Sequence, residues 1–171
     1  MRLAERARGL GLAICYNPNY RVSAWGGGAE EAVPVQRRAI ELADLAIMNA
    51  GEARLISGAA GDRAAGRWLS ASGPALVIIT RGGDPLLVIA GEEITEVPAV
   101  RAEVVFDIGA GDTFHAGFLA VWRPGGDPVP CARFAAQAAA LKIGRPPQPE
   151  HLPTRDEVLA QMPAETKEET E

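Results

Sequence analysis

The sequence predicts an α/β fold: a mostly parallel sheet with helices on both faces and antiparallel strands at one edge. Three observations carry this. Short apolar runs alternate with segments of helical period along the 171 residues, the pattern of strands and covering helices. The run A75-L-V-I-I-T80 is continuous, short and rich in β-branched residues, which suits a strand buried on both faces. L86-L-V-I-A90 follows it across R81-G-G-D-P85, so the second half carries a hairpin and an antiparallel edge.

Each element can be justified in order. Residues 2–10 read as a short amphipathic helix, and G11-L-A-I-C-Y16 as a first strand ended by N17-P-N-Y-R21. G26-G-G28 is a flexible break. From Pro34 to Ala43 apolar residues recur at helical spacing (Val35, Ala39, Leu42, Ala43), and Pro34 suits a first helical turn. L45-A-I-M48 is the next strand, ended by Asn49. G51-E-A-R-L-I-S-G58 is a short helix closed by Gly58. Residues 62–71 form another helix, with Ala65, Trp68 and Leu69 on one side. Beyond the hairpin, I94-T-E-V97 and E103-V-V-F106 read as short strands. Helices over about 110–121 and 129–143 follow, marked by Phe114, Phe118 and Val121, then by Phe134, Ala138 and Leu141. Thr154 and Glu157 have capping-box spacing for a last helix. The domain body is expected to span 1–163, with 164–171 an acidic, disordered tail.

Composition excludes several classes. A net charge of -5 argues against a broad nucleic-acid surface, which needs a basic patch. No apolar run approaches the roughly 18–20 residues of a membrane span. The basic N-terminal residues precede no apolar core and no A-x-A-like site, so no secretory signal is expected. Cys15 and Cys131 sit in apolar settings and read as buried free thiols of a cytoplasmic protein.

The stretch F106-D-I-G-A-G-D-T-F114 carries the chemistry. Glycines let the backbone bend and approach a ligand closely. Where such a turn opens a helix, the first N–H groups have no intrahelical acceptor and point outward at the positive end of the helix dipole. The result is an anion site. Asp112 at its rim is ill suited to hold phosphate, because like charges repel, and well suited to take a proton from a hydroxyl. Anion hole plus carboxylate base fits phosphoryl transfer from a nucleotide to an alcohol. The same residues would also serve as a plain tight turn with a solvated first-turn acid. Neither the Walker pattern nor G-x-G-x-x-G is present, since no G-K-[ST] follows and Phe114 stands at the last glycine position.

G109-A-G-D112, with Phe114 and A116-G117 after it, resembles the C-terminal signature of the ribokinase-like (PfkB) carbohydrate kinases. Further stretches resemble that family in the same order. N17-P-N-Y-R21 with Trp25 is similar to the D-x-N-x-R…W segment of 2-keto-3-deoxygluconate kinases and fructokinases. N49-A-G-E52 resembles the N-x-x-E motif, and V77-I-I-T-R-G-G83 the strand and turn bordering the nucleotide. F134-A-A-Q-A-A-A-L-K142 resembles the Ala-rich helix beside adenine, and L152-P-T-R-D-E-V158 the family's ending.

The resemblance implies a role for each. Asp112 would be the base, and the N–H groups of Gly109, Ala110, Gly111 and Asp112 the anion hole. Asn49 and Glu52 would organise Mg²⁺ around the ATP phosphates, Glu52 through water. Thr80, Gly82, Gly83 and Gln137 would line the nucleotide. Asn19 and Arg21 would meet a ketose or a 2-keto-3-deoxy sugar acid. Glu52, the Gly82–Gly83 turn and Arg21 have plainer readings as a helix acid, a hairpin turn and a surface salt bridge. His115 reads as a solvated helix histidine.

The sequence departs from the family in length. It corresponds to the C-terminal half, so the expected fold is truncated and lacks the lid. The expectation is a gene fragment, one half of a split kinase, or a late start, with little or no activity alone. The alternative is a non-catalytic nucleotide-binding fragment. Expected partners are ATP, a small sugar, and either a second copy or a complementing N-terminal half to cover an exposed sheet edge. Smaller departures are F106-D-I108 where the family has D-T-x, Asn17 where Asp is common, and Pro85 where Gly often closes the turn.

Overall fold

The computed structural model describes residues 2–163; the acidic 164–171 segment lies outside the described residues. The chain divides into two compact units, one up to Ala99 and one from Val100.

The first unit is built on a five-stranded sheet in sequential order: β1 (Cys15–Tyr16), β2 (Leu45–Asn49), β3 (Leu76–Arg81), β4 (Asp84–Ala90) and β5 (Glu93–Val97). β1, β2 and β3 are parallel neighbours. β4 and β5 are antiparallel, so the sheet is mixed, with the antiparallel edge that the hairpin signal predicts. β3 is buried from Leu76 to Ile79, as a continuous apolar run should be. Ala46, Met48, Val77, Ile79, Leu87 and Ile89 point to one face. There they pack with Ile40, Ala53, Ile56, Ala65 and Leu69 of the neighbouring helices. Leu45, Ile47, Ile78 and Val88 alternate with them, and they are buried as well.

Four helices belong to this unit: α1 (Arg2–Gly9), α2 (Gly28–Ile40), α3 (Ala50–Ser57) and α4 (Asp62–Ala71). Two expectations about α2 are corrected. The helix starts at Gly28, so Pro34 lies in its interior rather than its first turn. Its buried residues are Ala32, Gln36 and Ile40, while Val35 is exposed. Proline removes one hydrogen bond there. Burial at i, i+4 and i+8 carries the helix past it, and Glu30 and Glu31 favour its first turn. The first strand is also shorter than G11–Y16. Only Cys15 and Tyr16 pair with β2, and Leu10 and Leu12 are exposed at this sheet edge. Nor are the thiols buried: Cys15 is exposed and Cys131 half-buried, both free.

The second unit contains α5 (Ala110–Val121), α6 (Pro128–Ile143) and α7 (Arg155–Gln161). α5 and α6 approach closely at Gly117, where a Cβ would stand 3.2 Å from the Ala135 Cα. Phe134 and Ala138 of α6 pack on Val158 of α7. The expected strand over 103–106 is absent. The N–H groups of Val105 and Phe106 instead donate to the Ile143 carbonyl at 2.8 and 3.0 Å, satisfying an orphan carbonyl at the end of α6. Val104 and Val105 face solvent, so their β propensity finds no sheet to join.

The α7 capping box forms as its spacing predicts, with Thr154 and Glu157 bonded reciprocally. Glu157 also accepts from Arg145 Nη2 at 2.8 Å. The Arg145 hydrogen bond, then those from the Thr154 backbone and hydroxyl, hold the Glu157 carboxyl down at about 2. A carboxyl lowered in the folded state stabilises the fold above its ordinary pKa, and that contribution is lost as pH falls toward about 2. In Arg145→Gln the Glu157 titration, followed by NMR, is expected to move upward toward the ordinary carboxylate range. An unmoved titration would contradict this account of the cap.

Candidate active site

In the first unit the site residues gather at the carboxyl ends of the parallel strands, where open α/β sheets bind ligands. Asn49 ends β2 and pairs in register with Thr80 near the end of β3. The Thr80 hydroxyl donates to the Met48 carbonyl at 3.4 Å. Asn49 is also the N-cap of α3, and Gly58 closes that helix in the left-handed region at φ 80°.

Asn49 and Glu52 form a full capping box. The Asn49 Oδ1 accepts from the Glu52 N–H at 2.9 Å, and Glu52 Oε2 accepts from the Asn49 N–H at 3.0 Å. Glu52 Oε1 accepts from the Tyr20 N–H at 2.8 Å. A buried carboxylate, 9% exposed, thus ties the 17–21 segment to the start of α3 and keeps a free lone pair on each oxygen. This third bond was not legible in the sequence. Nearby, the Tyr16 hydroxyl donates to Gln36 Oε1. Burial, and secondarily the Glu52 charge, push the Tyr16 phenol up to about 12.

Asn19 lies in the left-handed region at φ 41°, and its N–H donates to Asn17 Oδ1 at 3.0 Å. This Asx-type turn presents Arg21, which is exposed and makes no side-chain hydrogen bond or ion pair among the described residues. The surface salt bridge is therefore not formed. Gly82, at φ 63°, and Gly83 make the β3–β4 turn, and a Cβ at either would meet open space. The turn is pinned on one side: Arg81 Nε donates to the Pro85 carbonyl, and its guanidinium faces Asp62 and Glu96 at 3.9 and 3.7 Å.

In the second unit, Gly109 is the N-cap of α5, with φ 86° and ψ 5°. Only glycine adopts that conformation without strain. Ala110, Gly111 and Asp112 are then the first three helical residues. The Ala110 N–H donates to the Asp107 carbonyl at 3.1 Å, so it already has a backbone partner. The N–H groups of Gly109, Gly111 and Asp112 have no acceptor among the described residues. Asp112 is exposed, and its carboxylate makes no ion pair among them. His115 Nδ1 meets the Gly111 carbonyl at 2.7 Å and is half-buried. Gln137 is buried on α6. Sequence reasoning missed Lys142, whose buried ammonium reaches the Phe106 carbonyl at 3.0 Å and the Ile108 carbonyl. A signal existed: Lys142 falls four residues after Ala138 and eight after Phe134, on the buried face of α6.

No group of three or more His, Cys, Asp or Glu side chains suited to hold a metal occurs among the described residues. No helix among them is long and apolar enough to cross a membrane.

Sheet, strand-end constellation and glycine-opened helix together define an α/β protein of the ribokinase-like class. The description of the pfkB family carbohydrate kinases matches residues 1–155, and the chain belongs to that family. It is 31% identical to the cytidine kinase of Thermococcus kodakarensis over 144 residues, 81% of this chain and 49% of that protein. It is 31% identical to the 2-dehydro-3-deoxygluconokinase of Escherichia coli K12 over 147 residues, 84% of this chain and 47% of that protein. The aminoimidazole riboside kinase of Salmonella enterica, solved with aminoimidazole riboside and an ATP analog, superposes with a TM-score of 0.82. It is 27% identical, and the match covers 93% of this chain and 55% of that chain. The chain therefore spans about half the length of the curated relatives it matches.

Proposed function

We propose that this chain supplies the phosphate-binding turn and the general base of an ATP-dependent kinase that phosphorylates a hydroxyl of a small sugar, sugar acid or nucleoside. The observation that carries the reading is the N-terminus of α5. A left-handed Gly109 opens the helix, three N–H groups there have no acceptor among the described residues, and an exposed carboxylate stands in the same turn. Asp112 takes the proton of the attacking hydroxyl as its oxygen bonds to the γ-phosphorus and the bond to ADP breaks. The N–H groups of Gly109, Gly111 and Asp112 stabilise the charge on the transferring group.

In the first unit, Asn49 and Glu52 match the family's N-x-x-E motif and would organise Mg²⁺ and its waters. Each Glu52 oxygen keeps one lone pair after its backbone bond, which suits contact with the water shell of a cation that dehydrates reluctantly. Mg²⁺ would neutralise charge on the phosphates. Thr80, Gly82 and Gly83 border the nucleotide, Gln137 lies beside its base, and Asn19 and Arg21 face the acceptor. Its class follows the relatives, among which are kinases of a sugar acid, cytidine and aminoimidazole riboside; Arg21, exposed and without an ion pair among the described residues, favours the acid.

The test is a coupled assay with ATP and Mg²⁺ across ketoses, 2-keto-3-deoxy sugar acids and nucleosides. The 171-residue chain is expected to turn over well below the roughly 1–100 per second typical of kinases, with the sugar acids favoured. Full turnover by the chain alone would contradict the view that it is the nucleotide-and-base half. Nucleotide binding without transfer to any acceptor, even beside a complementing half, would favour the non-catalytic reading.

A further inference from the structure

Lys142 is a buried charged residue, 8% exposed, near the end of α6. Its Nζ donates to the Phe106 carbonyl at 3.0 Å and to the Ile108 carbonyl, and stands 4.6 Å from the centre of the Phe106 ring. It forms no ion pair among the described residues. A Cβ built on Gly109 would lie 3.8 Å from this nitrogen. The ammonium thus sits directly behind the turn that opens α5, bound to the two carbonyls that flank Asp107, whose own carbonyl holds the Ala110 N–H.

Burying an ammonium without a carboxylate partner is costly. Two carbonyl dipoles and an aromatic face offset part of that cost and leave its positive charge, beside the turn at Gly109, without a carboxylate partner among the described residues. An anion bound at the turn would supply the missing countercharge. Carbonyl oxygens in such a pair are also the ligands that a small hard cation takes.

We propose that Lys142 is a positioning residue of the phosphate-binding turn: its ammonium is a tethered internal cation that gathers the Phe106 and Ile108 carbonyls, fixes the 106–112 loop with its N–H groups outward, and biases the turn toward a polyphosphate. The identity of the anion rests on the kinase reading given above; the pinning of the loop does not.

The experiment uses the 171-residue chain as wild type, Lys142→Met, Lys142→Ala and Lys142→Arg. Two readouts are taken: hydrogen exchange of the 106–113 amides by mass spectrometry, and calorimetric affinity for inorganic tripolyphosphate and for ATP. Losing a hydrogen-bonded charge corresponds to about a tenfold effect or more. Lys142→Met, which keeps the length without the charge, is expected to exchange these amides about tenfold faster and to bind tripolyphosphate about tenfold more weakly. Lys142→Arg should recover part of both. In Lys142→Ala, methylammonium should restore protection and affinity, and tetramethylammonium at equal ionic strength, having no N–H donor, should not. Rescue by both ions alike would mean a salt effect and overturn the proposal. So would protection and affinity within about twofold of wild type in Lys142→Met. Faster loop exchange in Lys142→Met, with no polyphosphate or ATP bound even by wild type, would support the pinning and sink the kinase reading. Unchanged exchange would overturn the pinning whether or not ATP binds.

Discussion

Asp112→Asn is expected to lower ATP-dependent phosphoryl transfer by about 10²–10⁴, the usual worth of a positioned general base, while leaving nucleotide affinity within about threefold. The geometry separates the two effects. On the proposed reading the backbone N–H groups of Gly109, Gly111 and Asp112, which have no acceptor among the described residues, would meet the phosphates, and they survive the substitution. The carboxylate alone is lost, and with it the acceptor for the hydroxyl proton. Asparagine keeps the size of the side chain and removes its charge, so the helix opening is retained. The rate is measured on the 171-residue chain, alone or completed by a second polypeptide, against the same preparation carrying Asp112. An unchanged rate would show that the acid is merely a first-turn residue stabilising α5.

The second large effect is expected at Glu52. Its two oxygens accept the Asn49 and Tyr20 N–H groups at 3.0 and 2.8 Å, within a side chain 9% exposed. Glu52→Gln places an NH₂ against one of those donors. One charge-assisted bond is lost and a part-buried N–H is left without an acceptor, a change of about 2–3 kcal/mol. Glu52→Ala removes both bonds and should cost more. Chemical denaturation measures the loss, and hydrogen exchange should place it at the 17–21 segment and the first turn of α3. A loss confined to nucleotide affinity, with stability unchanged, would contradict the structural part of this account and leave Glu52 as a purely functional acid. Both losses together are expected, because the carboxylate that holds the Asn49 and Tyr20 N–H groups is also the one that, on the proposed reading, would meet the water shell of Mg²⁺.

Local signals were the most legible in the sequence. The hairpin at Gly82–Gly83, the buried run of β3, the Gly58 stop and the Thr154–Glu157 box all formed where their chemistry predicts. Each depends on residues within a few positions of one another. The misreadings have a shared cause, a packing or pairing context that overrides the local signal. Pro34 looked like a helix start, but burial of Ala32, Gln36 and Ile40 carries α2 across it. Val104 and Val105 looked like a strand, but the Ile143 carbonyl, at the far end of α6, takes the Val105 and Phe106 N–H groups. Cys15 looked buried because its run is apolar, yet that run forms only a two-residue edge strand.

The site divides along the same line. The helix opening at Gly109 and the first-turn place of Asp112 were legible because the turn chemistry is local, although the Ala110 N–H donates to the Asp107 carbonyl. The link from Tyr20 to Glu52 spans 32 residues, and that from Lys142 to Phe106 spans 36. No spacing rule reaches so far. Lys142 announced itself only as a charge on an apolar helix face.

The central claim is that this chain carries its own phosphate-binding turn and that Asp112 serves the hydroxyl rather than the phosphate. Calorimetric titration of the 171-residue chain and of Asp112→Asn with ATP, with and without Mg²⁺, tests it most directly. The account predicts binding by both proteins, strengthened by Mg²⁺ in both. Binding by the wild type that is lost in Asp112→Asn, or no binding by either, would contradict it.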